Sequence, residues 1–204
     1  MKLIGMLDSP YVRRVAISAK FMGLPFEHQP LSVFRNFYEF RAINPLVKAP
    51  TLVWDDDEIL MDSALILDYL EEIAGPGKSL MPPKGTSRRA ALQLVGLGVT
   101  ACEKTVQLYY ETNLRPADKQ HQPWIERVSG QLQRAYDMLE MAAAKTDGWL
   151  VGDKISQADI TVAVAWRFTD YVTPDVIDES RYPALRAHSA RAEALPQFLS
   201  TPLE

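Results

Sequence analysis

Ser9-Pro10-Tyr11 stands between a short apolar strand pattern, Lys2 to Met6, and a helix-period stretch from Val12 to Met22. A serine at such a junction can cap the helix while aiming its hydroxyl at whatever sits on the helix's positive end. Proline at the first helical position needs no amide partner. Taken alone, the tripeptide reads equally well as a plain helix start. Two more places in the first third carry chemistry. Lys48-Ala49-Pro50-Thr51-Leu52-Val53 is an X-Pro step entering a strand, and Asp62-Ser63 sits where a second strand, Glu58 to Met61, gives way to a helical run from Ala64 to Ala74. There Asp62 can pair with a cation. The Ser63 hydroxyl and the first helical amides can hold a carboxylate, or Ser63 is only an N-cap.

The elements that must position these residues read as βαβ followed by ββα. Val12, Val15, Ala16 and Ala19 mark one face of the first helix, which Gly23 ends before Pro25. Phe26 to Leu31 suits a second strand, parallel to the first because a helix crosses between them. Residues 32–43 carry Phe34, Phe37, Tyr38 and Phe40, and periodicity leaves a short helix and an ordered loop both open. Gly75-Pro76-Gly77 and Pro82-Pro83-Lys84-Gly85 form the one concentrated breaker segment. The predicted division is a domain over 1–76, a linker over 77–86 and a helical domain over 87–204. Ser87 to Tyr110 is predicted to be a central helix, apolar on nearly all sides. Trp124 to Ala144 carries a stripe through Ile125, Val128, Leu132, Ala135 and Leu139, and is expected antiparallel to it. Ser156 with Asp159 three residues on reads as a capping box with a folding role. A last helical pattern runs from Pro183 to Leu195.

Composition narrows the function classes. The 204 residues carry 22 Lys and Arg against 26 Asp and Glu, a formal net charge of −4 without a basic run, which argues against a nucleic-acid partner. No apolar run reaches the length of a membrane span, and the short N-terminal apolar stretch stops at Asp8, so a cytoplasmic protein without a membrane partner is expected. The single cysteine, Cys102, lies in an apolar helical pattern and reads as a buried, inert thiol. His28, His121 and His188 are scattered, and no metal site is expected.

In this order and spacing, Ser9-Pro10-Tyr11, Asn44-Pro45, the Lys48-Ala49-Pro50 step and Asp62-Ser63 resemble the cytosolic glutathione transferases, specifically a bacterial member of the serine type. The resemblance continues through a Pro/Gly-rich linker and a long helical segment to Ser156-Gln157-Ala158-Asp159, and so covers nearly the whole chain. It implies an α/β N-terminal thioredoxin-like domain followed by an all-α C-terminal helical domain, a homodimer, and glutathione as co-substrate with no other cofactor. The implied reaction is attack of a bound glutathione thiolate on a small hydrophobic electrophile. A free thiol has a pKa of about 8.5, so only ~3% is ionised at neutral pH. A hydroxyl donating to the sulfur beside a helix N-terminus favours the anion, and a drop of about two units would raise that fraction roughly twentyfold.

On this resemblance Ser9 is the catalytic residue. Tyr11, inside the helix, is expected to point away from the cap. The γ-glutamyl end of glutathione carries both an ammonium and a carboxylate, which Asp62 and Ser63 would take. The family places a cis proline at Pro50, leaving the main chain of Ala49 to pair with the cysteinyl backbone like an added strand. Lys48 would reach the glycyl carboxylate or simply be solvated. Arg13 and Arg14 add positive charge, with one of them expected to face solvent and neither catalytic. Tyr109, Tyr110 and Trp166 are the candidates by position for an electrophile pocket that the family places between the domains, although aromatics on apolar helices are usually core. Two further readings remain, a glutathione-dependent isomerase and a catalytically silent glutathione-binding or regulatory member. A glutaredoxin-like reductase would need a cysteine near position 9, where there is none.

Overall fold

The computed structural model describes residues 1–203. Its contacts divide the chain into two compact units, one of residues 1–83 with the stretch from Ala194 onward, the other Lys84–Glu193. The first unit runs β1 Lys2–Ile4, α1 Pro10–Met22, β2 Glu27–Gln29, α2 Phe37–Ile43, β3 Thr51–Val53, β4 Ile59–Met61 and α3 Ser63–Ala74. The sheet order is β2-β1-β3-β4. As the crossover requires, β1 and β2 are parallel, with Leu3 opposite His28; β3 is antiparallel to β1 and to β4. Gly23 closes α1 at φ 70, where only a residue without Cβ is unstrained, and the amides of Gly23 and Leu24 return to Lys20 and Ala19. Residues 32–43 split into turn and helix. The Ser32 hydroxyl accepts from the Phe34 and Arg35 amides, and the Asn36 side chain accepts from the Ser32 amide, so regular helix begins only at Phe37. On that helix Phe40 alone is buried, against Ile4 and Leu31, while Phe34, Phe37 and Tyr38 are exposed.

The second unit is helical: α4 Gly85–Tyr109, a π-turn at Tyr110–Leu114, α5 Gln122–Ala143, α6 Gln157–Val172 and α7 Pro183–Glu193. Sequence periodicity makes α4 the helix buried all round, and the structure corrects this. α4 buries only one stripe, Ala91, Leu94, Gly98, Ala101, Cys102, Thr105 and Leu108, which packs on α5 and α6. The helix with no exposed face is the first ten residues of α6, Gln157 through Trp166. A Cβ on Gly98 would lie 3.0 Å from Thr161 Cγ2 and 3.3 Å from the Thr161 carbonyl, so this glycine lets α4 and α6 approach closely. Thr105, Tyr136 and Thr169 join hydroxyls at the same contact, with both oxygen–oxygen distances 2.6 Å, and Tyr136 also donates to the Ala165 carbonyl. The predicted capping box is present at the start of α6: the Asp159 carboxylate accepts from the amide and hydroxyl of Ser156, and from the Leu150 amide.

Residues 194–203, expected in the helical domain, cluster instead with the first unit. Their short helix α8, Pro196–Leu199, packs on α1. Arg13 Nε donates to the Thr201 carbonyl at 2.8 Å, its guanidinium lies 5.7 Å from the centre of the Phe198 ring, and Phe21 meets Phe198 edge-on. This overturns the expectation of a solvent-facing arginine, since Arg13 and Arg14 are each only 1% exposed. Helical periodicity could not anticipate a segment nearly two hundred residues away covering the face. Among the described residues no helix is long and apolar enough to cross a membrane.

Candidate functional site

The site is built around the end of β1. Gly5 follows it at φ +135, and a Cβ there would fall 2.6 Å from Val12 Cγ2 and 3.0 Å from the Ala49 Cβ. Glycine is thus required to bring the first turn of α1 and the Ala49-Pro50 step together. Ser9 is the N-cap residue of α1 by backbone, at φ −71 and ψ 122, and its carbonyl accepts from the Arg13 amide at 2.9 Å. Its hydroxyl makes no capping bond, which corrects the expectation that this side chain caps the helix. Pro10 fixes the helix start without it. The hydroxyl is therefore half-buried at a helix N-terminus and uncommitted to the helix, so it can donate to an anion there.

The Ala49–Pro50 peptide is cis. Its loop is braced by Asn44, which is buried: Asn44 Nδ2 donates to Thr51 Oγ1 at 2.8 Å, Asn44 Oδ1 accepts from the Leu46 amide, and Thr51 Oγ1 donates to the Lys48 carbonyl at 2.7 Å. The amide and carbonyl of Ala49 make no hydrogen bond among the described residues. An extended peptide laid along this edge could use both.

At the far side, Asp62 rather than Ser63 caps α3. Asp62 Oδ1 accepts from the Ala64 amide at 2.9 Å, and Ser63 is the first helical residue, only 5% exposed. The Ser63 hydroxyl has no partner among the described residues and stays available. Asp62 adopts φ 73 and ψ 121, a conformation that costs a non-glycine residue of order 1–3 kcal/mol. Lys48 Nζ approaches Asp62 Oδ2 at 3.4 Å, with both side chains about half exposed. Partial burial pushes the Asp62 carboxyl up, but the Ala64 amide, the Lys48 ammonium and the charge of Arg14 together hold it below the usual range. Arg14 thus acts from α1 on the start of α3, which packs against it. Ser9, Lys48, Ala49, Pro50, Asp62 and Ser63 all belong to the first unit.

Residues 3–79 match the family model described as the N-terminal domain of glutathione S-transferase, and residues 122–191 match the model of its C-terminal domain. The chain belongs to the glutathione transferase superfamily. It is 27% identical to the maleylacetoacetate isomerase of Pseudomonas aeruginosa, over 97% of this chain and 93% of that one, and 28% identical to glutathione S-transferase 3 of Zea mays, over 98% and 92%. Among solved structures it superposes with a TM-score of 0.90 on a glutathione S-transferase of Methylobacterium radiotolerans in complex with glutathione sulfonate, at 28% identity, covering 98% of this chain and 93% of that one. The glutathione S-transferase of Methylobacillus flagellatus with bound glutathione gives the same TM-score at 25% identity, covering 100% and 99%.

For a transferase-superfamily chain, the second unit holds the residues expected to meet the electrophile, and they divide. Trp166 is mostly core, 6% exposed and edge-on to Tyr136 and Tyr182 at 5.3 and 5.7 Å, and its remaining surface lines a small cavity with Asp170, Thr173 and Ile177. Tyr109 ends α4 half-buried, and Tyr110, 43% exposed, opens the π-turn. That turn is fixed by Glu111, whose carboxylate accepts from the His121 amide and from Arg115. Sequence reasoning missed Gly5, Thr51 and the role of Arg14. A glycine closing an apolar strand was a usable signal for the first; nothing local signalled the others.

Proposed function

We propose that the protein is a glutathione transferase acting in the cytoplasm as a homodimer, with glutathione as co-substrate and neither metal nor further cofactor. The observation that carries this reading is the Ser9 hydroxyl, left free of capping at the N-terminus of α1. In the proposed complex it donates to the glutathione sulfur, and with the helix end it favours the thiolate. The cysteinyl main chain pairs with the open amide and carbonyl of Ala49. The γ-glutamyl carboxylate takes the Ser63 hydroxyl and the first amides of α3, and the ammonium takes Asp62. Since Asp62 now faces Lys48, binding parts a loose, exposed ion pair, which costs little. It frees Lys48 for the glycyl carboxylate. The thiolate then attacks an electrophilic carbon on a small apolar molecule, with Tyr109 and Tyr110 as its proposed contacts from the second unit. The relatives solved with glutathione or its sulfonate support the choice of ligand.

A second reading, isomerisation, is favoured by the relative named maleylacetoacetate isomerase. There the same thiolate would add to an activated double bond and leave again after rotation, regenerating glutathione. Mass balance separates the two. Incubation with a panel of aryl halides and activated cis-alkenes should yield a thioether and consume glutathione in proportion to product. Isomerised alkene with glutathione unspent establishes the second reading. No binding of glutathione at millimolar concentration overturns both and leaves a silent member of the fold.

A further inference from the structure

We infer that the C-terminal end of α1 and the returning tail form a second small-molecule site, for an amphipathic monocarboxylate. A cavity of about 320 Å³ opens here within the first unit, walled on its apolar side by Leu7, Leu24 and Phe26. That is at the lower end of ligand-pocket sizes, about 300–1,000 Å³, and suits a fragment-sized molecule. Its polar side is Lys20, His28 and Ser200. Lys20 Nζ donates to the carbonyl and hydroxyl of Ser200 at 2.8 and 2.7 Å, and an ammonium has one N–H more. No carboxylate among the described residues pairs with it. Burial lowers the Lys20 pKa, so the ammonium lacks the stabilisation that a counter-ion would supply. His28 Nε2 lies 2.8 Å from the Gly5 carbonyl. A carbonyl only accepts, so Nε2 carries the proton and is spent on Gly5, which leaves Lys20 as the donor to an acid.

A lining that combines apolar side chains with an ammonium lacking a carboxylate partner among the described residues selects an acid with a hydrocarbon body. The end of α1 is the negative pole of the helix, so an anion is held here only while Lys20 is charged. Lys20 lies eleven residues beyond Ser9, about 16 Å along the helix, and the two sites are separate.

The test is calorimetric titration of the full chain with 4-phenylbutyrate and its neutral amide. The acid should bind, with the amide at least about tenfold weaker. Lys20→Met should weaken the acid to the level of the amide, Lys20→Arg should restore it, and saturating glutathione should leave it unchanged. Should Lys20→Met fail to fold, Leu24→Trp, which fills the cavity and keeps the ammonium, must abolish binding instead. Equal binding of acid and amide, binding that survives these substitutions, displacement by glutathione, or no binding at millimolar acid each overturns the proposal.

Discussion

Ser9 and Asp62 meet different parts of the proposed ligand, its thiol and its γ-glutamyl ammonium, and their single-residue consequences differ. Because the Ser9 hydroxyl makes no capping bond, Ser9→Ala should cost less stability than the 0.5–2 kcal/mol, roughly, of a lost cap. The effect should appear in the bound thiol. Its pKa is expected to rise toward about 8.5, and conjugation near neutrality to fall about tenfold, with the defect shrinking at higher pH. Ultraviolet titration of the bound thiolate measures this directly. An unchanged thiolate pKa in the folded variant would assign activation to main-chain amides instead. At Asp62 the cap and the charge can be separated. Asn tolerates positive φ and can still accept from the Ala64 amide, so Asp62→Asn should keep the cap, lose only the small stability that the half-exposed charge adds, and bind glutathione about tenfold more weakly. Asp62→Ala should lose both. The carboxyl sits below its usual range in the folded chain, so its contribution to stability is fully present above about pH 4 and is lost as pH falls through the lowered value. Glutathione affinity that Asp62→Asn leaves unchanged would contradict the role given to its charge.

At the scale of elements, local signals were legible and long-range ones were not. Ser9-Pro10, Gly23, the X-Pro step and the box of Ser156 with Asp159 are written in adjacent residues, and each marks a real boundary. Which helix is buried all round is not local. α6 is the more apolar of the two, but what separates them is packing: α4 buries a single stripe, with Gly98 and Thr105 on it, whereas α6 is enclosed by α4 and α7. Trp166 belongs to that enclosed helix, which explains why an aromatic expected at a pocket is core. The same enclosure buries His188 of α7 beside Asp159. His188 Nε2 lies 3.4 Å from the Asp159 carbonyl and 3.8 Å from its carboxylate, Nδ1 has no partner among the described residues, and Trp149 meets the ring edge-on. Burial lowers the His188 pKa against the opposing pull of Asp159, with Arg191 lowering it further. A histidine held below its unfolded value leaves stability complete above about pH 6.5 and erodes it as pH falls through the folded value, because the unfolded chain binds the proton more readily. Urea midpoints should therefore drop on acidification from about pH 7 to pH 5, and His188→Gln should flatten that slope. Removing the shared carboxylate, Asp159→Ala, strands two amides and should cost about 2 kcal/mol or more at every pH. An unaltered slope in His188→Gln would move the acid sensitivity to other groups.

On the scale of the whole molecule, the chain enters the second unit at Lys84 and returns to the first at Ala194, so cutting one crossing leaves the other. The breaker segment is not uniformly open. The Glu71 carboxylate takes the Ser79 hydroxyl and the Leu80 amide, Leu80 is buried, and the Lys78 ammonium lies over Gly23. Residues 83–86 are exposed. Limited trypsin should therefore cleave after Lys84 before Lys78, since a protease needs several residues of released backbone. Glu71→Ala should open the second site. The two fragments should then co-elute under native conditions, because residues 194–203 stay on α1 through the Arg13 bond to Thr201, the Phe198 contacts and the Lys20 bonds to Ser200. Arg13→Ala deletes the first bond and the ring contact together, and exposes what they covered. In that variant the fragments should part at a lower urea concentration than in the parent, by an amount set by a buried hydrogen bond to a charged donor, about 1.5–3 kcal/mol. Size-exclusion chromatography across a urea series reads both outcomes. Prompt separation of the parent fragments in buffer alone would mean that the returning tail adds no binding of its own to the first unit.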